Sequence, residues 1–495
     1  MDLLALAFVI LSTLLFVIFV LFSFSILGLW LSEIGLWLIS LPLFMIVVST
    51  IRIFRDYSLP DNRLDIILLA VTILFSFIIL LRIIIPLTEI RKTNLLLQRK
   101  MEQSLGKDYL LYVDFFSNSD FYKKVRFQFL HYFLGVNKRA LDKKVVSVRD
   151  LTYHKTDDKE LKLNVYYPKK LGHYPTILFI HGGGFIVGSK DQPKQEKICQ
   201  YLANYGYCIF NVDYHLTPLS YLTSKDKSIK HDLLICDMVT DIRKAILFAK
   251  HHASEYSGNP NEFFVFGRSA GGHLALLSAY SCLGRVYNLA DCDGQIEEHA
   301  INGVIAFYPV TDFSALYNYY GKQNLVKFFM TRGVGGSPEE LQYLYQVFSP
   351  ISYVSEKFIQ YIPPTFLATG ERDRLVSPEQ SRKLYDKLQH MGVNSVLLEL
   401  PWANHSFDTI LNGPGGQLII KYLTQFLVWV ITKIRFEKIE ELAQKYGLSK
   451  IIPKEKYQTI HEFKDFDYSR IDEDNYNKPF FEYLYQLYGP EDTTQ

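Results

Sequence analysis

An α/β fold with a mostly parallel central sheet is predicted by two features of this 495-residue chain, and a third predicts what precedes it. Short apolar, β-branched or aromatic runs recur after Leu151: "LKLNVYY", "TILFI", "YCIFNV", "FFVF", "GVIAFY", "TFLAT" and "SVLLEL". Longer amphipathic stretches separate most of them, such as Asp237 to His251 and Ser381 to His390. Strands this apolar, alternating with helices, belong in a sheet covered on both faces. Long apolar runs also crowd the N-terminus, where they predict a bundle of about three transmembrane helices.

The elements follow in chain order. Leu3 to Trp30 carries no charged residue, which exceeds the roughly 20 residues needed to cross a bilayer. Glu33 interrupts the run, and Ile34 to Ile51 forms a second span. A third runs from Ile66 to Ile85, with Arg82 near enough to its end to snorkel and Pro86 closing it. No basic region leads the first run, so residues 1–90 are expected to be a three-span anchor rather than a cleaved leader. Arg52, Arg55 and Arg63 lie before the third span; Arg91, Lys92, Arg99, Lys100 and Lys107 follow it. That balance predicts a multi-pass integral membrane protein whose main domain is cytoplasmic.

Residues 91–150 form a basic and aromatic linker. Its segment "FYKKVRFQFLHYFLG", Phe121 to Gly135, suits either a membrane interface or a helix packed on the neighbouring domain. Residues 151–435 are the α/β domain. Within it Leu418 to Ile434 is apolar, but Lys421 and Gln425 make it a core-covering helix rather than another span. The tail, 436–495, is charged and aromatic, with "PFFEYLYQLY" suggesting that it docks; it carries no recognisable chemistry.

The net charge of +2 and the apolar composition argue against a disordered chain and against a nucleic-acid binder driven by bulk charge. Cys199, Cys208, Cys236, Cys282 and Cys292 are odd in number and show no CxxC spacing, so neither a metal cluster nor a dense disulfide frame is expected. No cofactor is expected, and the oligomeric state is left open.

Two motifs carry chemistry. Gly267-Arg268-Ser269-Ala270-Gly271 follows an apolar strand and opens a helix, the setting in which a serine is forced onto a strained turn with its hydroxyl exposed. The helix N-terminus behind Ala270 favours developing negative charge. In "ILFIHGGGFIVGSK", a strand ends at His181 and Gly182, Gly183 and Gly184 follow. Acyl transfer needs backbone N–H groups aimed at an oxyanion, and glycines permit the approach. A phosphate loop would need a Lys-Ser/Thr in register, and none is present.

"HGGGF" before "GRSAGGHLA" resembles the α/β-hydrolase superfamily, in its HGGG-type esterase and lipase branch. Hormone-sensitive-lipase-like and feruloyl/acetyl-esterase-like carboxylesterases are similar to it. "NVDYHLTP" resembles that branch's Tyr-Arg-Leu segment, with His215 in place of the usual arginine. The resemblance runs from about Leu151 to Thr432 and leaves the membrane region out.

The resemblance implies an acid and a base after the serine. It puts the acid at Asp373 in "TGERDRLVSPEQS", with Glu371 as competitor, and the base at His405 in "LELPWANHSF". Trp402 or Ala403 stands where the branch often has glycine. His181 is expected to brace the oxyanion loop, His273 to be structural, and His251 with His252 to end a surface helix; no metal is expected. Ser269, Asp373 and His405 would then form a Ser-His-Asp triad, with the N–H groups of Gly182, Gly183 and Ala270 as oxyanion donors and Gly184 holding the loop. The function implied is a membrane-anchored carboxylesterase or lipase acting on lipophilic esters, with substrate and membrane lipid as partners. The alternatives are an acyltransferase or peptidase using the same triad, or a catalytically silent binding protein.

Overall fold

Every strand that the sequence predicts lies in one eight-stranded sheet of order β1-β2-β4-β3-β5-β6-β7-β8. The strands are β1 (Val145–Lys155), β2 (Glu160–Pro168), β3 (Tyr174–Ile180), β4 (Cys208–Val212), β5 (Gly258–Arg268), β6 (Gly303–Phe307), β7 (Thr365–Gly370) and β8 (Ser395–Leu400). β1 pairs with β2, and β2 with β4, in antiparallel sense; all later pairings are parallel. The structure is a computed structural model that describes residues 3–16, 40–56, 63–117, 141, 143–156, 159–218, 234–281, 300–320, 325–334 and 336–445. The helices there are α1 (Leu3–Phe16), α2 (Ser40–Asp56), α3 (Arg63–Leu105), α4 (Tyr109–Ser117), α5 (Pro193–Asn204), α6 (Leu234–His252), α7 (Ala270–Tyr280), α8 (Phe313–Tyr319), α9 (Leu325–Val334), α10 (Gln342–Val347), α11 (Glu379–His390) and α12 (Pro414–Lys445).

Alternation along the strands divides the core into two layers. Phe179, Phe264, Phe266, Ile305 and Phe366 face one way, onto Leu202 of α5 and Leu418, Phe426 and Trp429 of α12. Leu178, Phe263, Val265, Ala306 and Leu367 face the other, onto Met238 and Ile242 of α6, Leu274 of α7 and Leu384 of α11. Because both faces are covered, the strands read as nearly unbroken apolar runs. α12 is mostly buried, as its internal Lys421 and Gln425 suggested. Lys421 finds Asn94 Oδ1 at 2.8 Å, and Tyr109 donates to Gln425.

Three boundaries differ from the sequence expectations. β1 begins at Val145, ahead of 151; its polar residues, with Arg149 and Asp150 at an irregular register, hide an edge strand. α12 continues to Lys445, past 435. α3 does not stop at Pro86 but runs on to Leu105. Proline removes one helical hydrogen bond at a cost of about 3 kcal/mol, and packing beyond it outweighs that cost: Leu97 and Met101 are buried in the same layer as α12. Tyr422 of α12 donates to the Asn94 carbonyl at 2.6 Å, so α3 is fastened to the sheet domain instead of ending as a separate span.

The expected three-span bundle reduces to less. α1, α2 and α3 do touch, through Phe8 with Phe44 and Phe16 with Phe75. Among the described residues, only Arg63–Leu81 of these helices is long and apolar enough to cross a membrane, by length and composition alone. α1 and α2 span 14 and 17 residues. The basic segment Phe121 to Gly135 and the aromatic tail beyond Lys445 lie outside the described residues.

Candidate active site

Four strands end at one place. β5 delivers Ser269, β3 leads into Gly182 to Gly184, β7 leads to Asp373 and β8 to His405. In open α/β sheets the crevice beyond the carboxyl ends of the strands is where ligands bind.

Ser269 sits between β5 and α7 at φ 53 and ψ −120, a backbone state that L-residues rarely adopt. Its N–H donates to the Phe307 carbonyl at 2.9 Å, and its own carbonyl accepts from His273 N. The turn is this tight because α7 crosses directly against β3: a Cβ on Gly271 would lie 2.3 Å from the Ile180 carbonyl oxygen. Only glycine fits there.

Ser269 Oγ lies 3.0 Å from His405 Nε2. On the other side of the ring, Nδ1 is 2.7 Å from Asp373 Oδ2. The second carboxylate oxygen of Asp373 accepts the N–H groups of Leu375 and Val376, each at 2.9 Å. A neutral imidazole that donates from Nδ1 to this fixed carboxylate presents Nε2 as an acceptor toward the serine hydroxyl. Asp373 and His405 are almost fully buried, whereas the competitor Glu371 is exposed.

The glycines after β3 wrap over the serine. Gly183 has φ 145, and a Cβ there would meet the Val187 carbonyl oxygen at 1.5 Å. Ile186 and Val187 donate back to the Gly183 carbonyl and close the loop. Among the described residues, the N–H groups of Gly182, Gly183, Gly184 and Ala270 all lack a backbone acceptor. Gly182 approaches the turn itself, its Cβ position lying 3.2 Å from Ser269 Cβ.

His181 anchors the loop, as the sequence suggested: it is buried, its ring stacks on Tyr214 at 4.5 Å, and the Tyr214 hydroxyl donates to its carbonyl. Burial lowers its pKa. His273 is fully buried, with Nδ1 3.0 Å from the Val310 carbonyl and its ring between Phe185 and Phe313. Burial pushes its pKa down to about 4, so it is neutral near pH 7. His215 binds Asp241 through both its N–H and Nδ1, and that hydrogen bond raises its pKa. His252 ends α6 beside Glu255. Among the described residues, no group of three His, Cys, Asp or Glu side chains stands close enough to hold a metal ion.

A pocket of about 200 Å³ opens at Ser269. Its wall is Phe185, Val310, Phe313, Leu316, Met330 and Val376, joined by Gly184 and Ala270. α8 and α9 supply Phe313, Leu316, Val326, Met330 and Val334 to the pocket, and Thr217 adds to it from the loop after β4. Sequence reasoning missed the buried Arg268, Tyr308 and Asp408 behind Ser269 and His405. The signal was an arginine inside an apolar strand, which requires a carboxylate partner.

Fold, serine turn and glycine loop together resemble those of α/β-hydrolases of the HGGG-type esterase branch. Residues 163–388 match the BD-FAE family model. The chain is similar to the probable carboxylic ester hydrolase LipM of Mycobacterium tuberculosis, 26% identical over 52% of this chain and 55% of that one. It is equally similar to the isoprenylcysteine alpha-carbonyl methylesterase ICME of Arabidopsis thaliana, at 26% over 53% and 57%. The match thus spans little more than half the length of these two relatives. Among solved structures, esterase B of Lactobacillus rhamnosis aligns with 69% of this chain and 98% of its own at 19% identity, with a TM-score of 0.48.

Proposed function

We propose that this protein is a serine carboxylesterase or lipase that hydrolyses lipophilic esters and is held at a membrane. The observation that carries the reading is the continuous chain from Asp373 through His405 to Ser269, at 2.7 and 3.0 Å, facing an apolar pocket beside unused N–H groups. Ser269 Oγ attacks the ester carbonyl while His405 Nε2 takes its proton. Gly182, Gly183 and Ala270 N–H groups receive the oxyanion, with Gly184 holding the loop. His405 then protonates the departing alcohol, leaving an acyl group on Ser269, and Asp373 stabilises the imidazolium throughout. Water enters, gives its proton to His405, and releases the acid and the free serine.

The relatives named above as ester hydrolases support the reaction class. The pocket wall supports an apolar acyl or alcohol group. Support for the membrane comes from Arg63–Leu81, whose Leu64, Ile67, Leu74 and Phe77 are exposed. Arg91, Lys92, Arg99 and Lys100 follow that apolar stretch within α3 and favour a cytoplasmic hydrolase region.

Two measurements test the proposal. Purified full-length protein is expected to release acid from p-nitrophenyl esters, with kcat/KM rising from acetate to medium-chain acyl groups, and Ser269→Ala is expected to abolish release. Preference for acetate would remove the lipophilic substrate, and activity in Ser269→Ala would remove the mechanism. Carbonate washing of cell membranes is expected to leave the protein in the pellet; its release would remove the anchor.

A further inference from the structure

Directly before Ser269 stands Arg268, whose guanidinium lies almost wholly inside the protein, and three residues after His405 stands Asp408, fully buried. The two form an ion pair. Arg268 also donates to Gln195 Oε1 at 2.9 Å and lies over the Phe179 ring. The Tyr308 hydroxyl donates to Asp408, and the Tyr308 ring packs on the His405 ring with centroids 4.4 Å apart. Tyr308 takes φ 41, a left-handed value that costs a bulky residue backbone strain. None of the three lines the pocket.

A buried ion pair contributes little net stability compared with apolar residues of the same size, because both charges leave water. Its value lies in what it fixes in place. This pair joins the nucleophile turn to the histidine loop, and Ser406, between His405 and Asp408, is itself left-handed at φ 60. Resting on the reading of Ser269 and His405 as nucleophile and base, we propose that Arg268, Asp408 and Tyr308 are positioning residues. The ion pair sets the spacing of serine and imidazole, and Tyr308, held by Asp408, is the wall that orients the ring.

The charged and titratable groups around this assembly are few. Asp373 meets His405 at Nδ1, and Tyr308 covers its face. Tyr320 acts on Asp373 from the end of α8. Lys194 and Cys199 of α5 face Arg268, and Lys194 also senses Asp408. Removing one member of the ion pair therefore leaves a single uncompensated charge behind the imidazole. Arginine stays charged at every accessible pH, so Asp408→Asn is the clean case.

Steady-state kinetics of full-length protein, across the range in which a histidine titrates, test the proposal. Asp408→Asn is expected to lower kcat about 10- to 100-fold while KM changes less than about threefold. The lone Arg268 disfavours the imidazolium, so the acidic limb of kcat/KM moves to lower pH by about one unit. Combining Arg268→Gln with Asp408→Asn is expected to return the limb to its wild-type position while kcat stays low, because the link is still missing. Wild-type kinetics in Asp408→Asn, a lowered kcat with an unmoved limb, or full kcat in the double variant would each overturn the proposal. Should Asp408→Asn fail to fold, the double variant, which buries no lone charge, carries the test through its separate kcat and KM. Misfolding of both would mark the pair as a structural staple and overturn the positioning role. A wild-type protein that a fluorophosphonate does not label would sink the hydrolase reading, and this inference with it. A labelled wild type beside an unaffected Asp408→Asn sinks the inference alone.

Discussion

At Ser269 the backbone stands at φ 53 and the hydroxyl lies 3.0 Å from His405 Nε2. The proposed roles predict unequal losses. Ser269→Ala or His405→Ala is expected to lower kcat about 10⁶-fold, and Asp373→Asn about 10⁴-fold, measured on one soluble ester. A milder loss at Asp373 would return the acid role to Glu371. His273 supplies a pH prediction. Its folded pKa of about 4 lies below the ordinary 6.5, so its contribution to stability is complete above about 6.5 and is lost as pH falls toward 4. The loss amounts to about 3 kcal/mol at the acid end. Urea midpoints measured at successive pH values are expected to decline across that window; a midpoint that stays flat would contradict the buried neutral ring. Both motif glycines and the serine were legible in the sequence because their spacing is local. Arg268 and Asp408 were not, since a pairing across 140 residues leaves no periodic trace.

Among the elements, α3 is the one whose behaviour departs most from its sequence. Read alone, Ile66 to Ile85 ends at a proline and looks like a self-contained span. Its continuation depends on partners that the local sequence does not announce: Leu97 and Met101 are completed by α12, more than 300 residues away. Met101→Ala is therefore expected to cost about 2–5 kcal/mol of stability, as a cavity in a shared core does. Chemical denaturation of the sheet domain checks this, and an unchanged midpoint would mean that α3 only rests on the surface. The parallel strands were legible for the opposite reason. Each is buried on both faces, so its apolar run is visible without knowing its neighbours. β1, at the sheet edge with exposed polar residues, has no such run and was missed.

On the scale of the whole molecule, one helix links an apolar N-terminal portion to the α/β domain. The sequence suggested three spans from composition, and composition alone does not separate a span from a helix that packs within a protein; α12 meets the same test and is mostly buried. The site itself was more legible, because four strand ends meet at one edge of a parallel sheet whatever the loops between them do. Everything catalytic in the proposal depends on Ser269 being the nucleophile, and covalent trapping measures that most directly. Full-length protein treated with a fluorophosphonate and digested for mass spectrometry is expected to carry one adduct, on Ser269, absent from Ser269→Ala and strongly slowed in His405→Ala. An adduct on another residue, or equal labelling of Ser269→Ala, would contradict it.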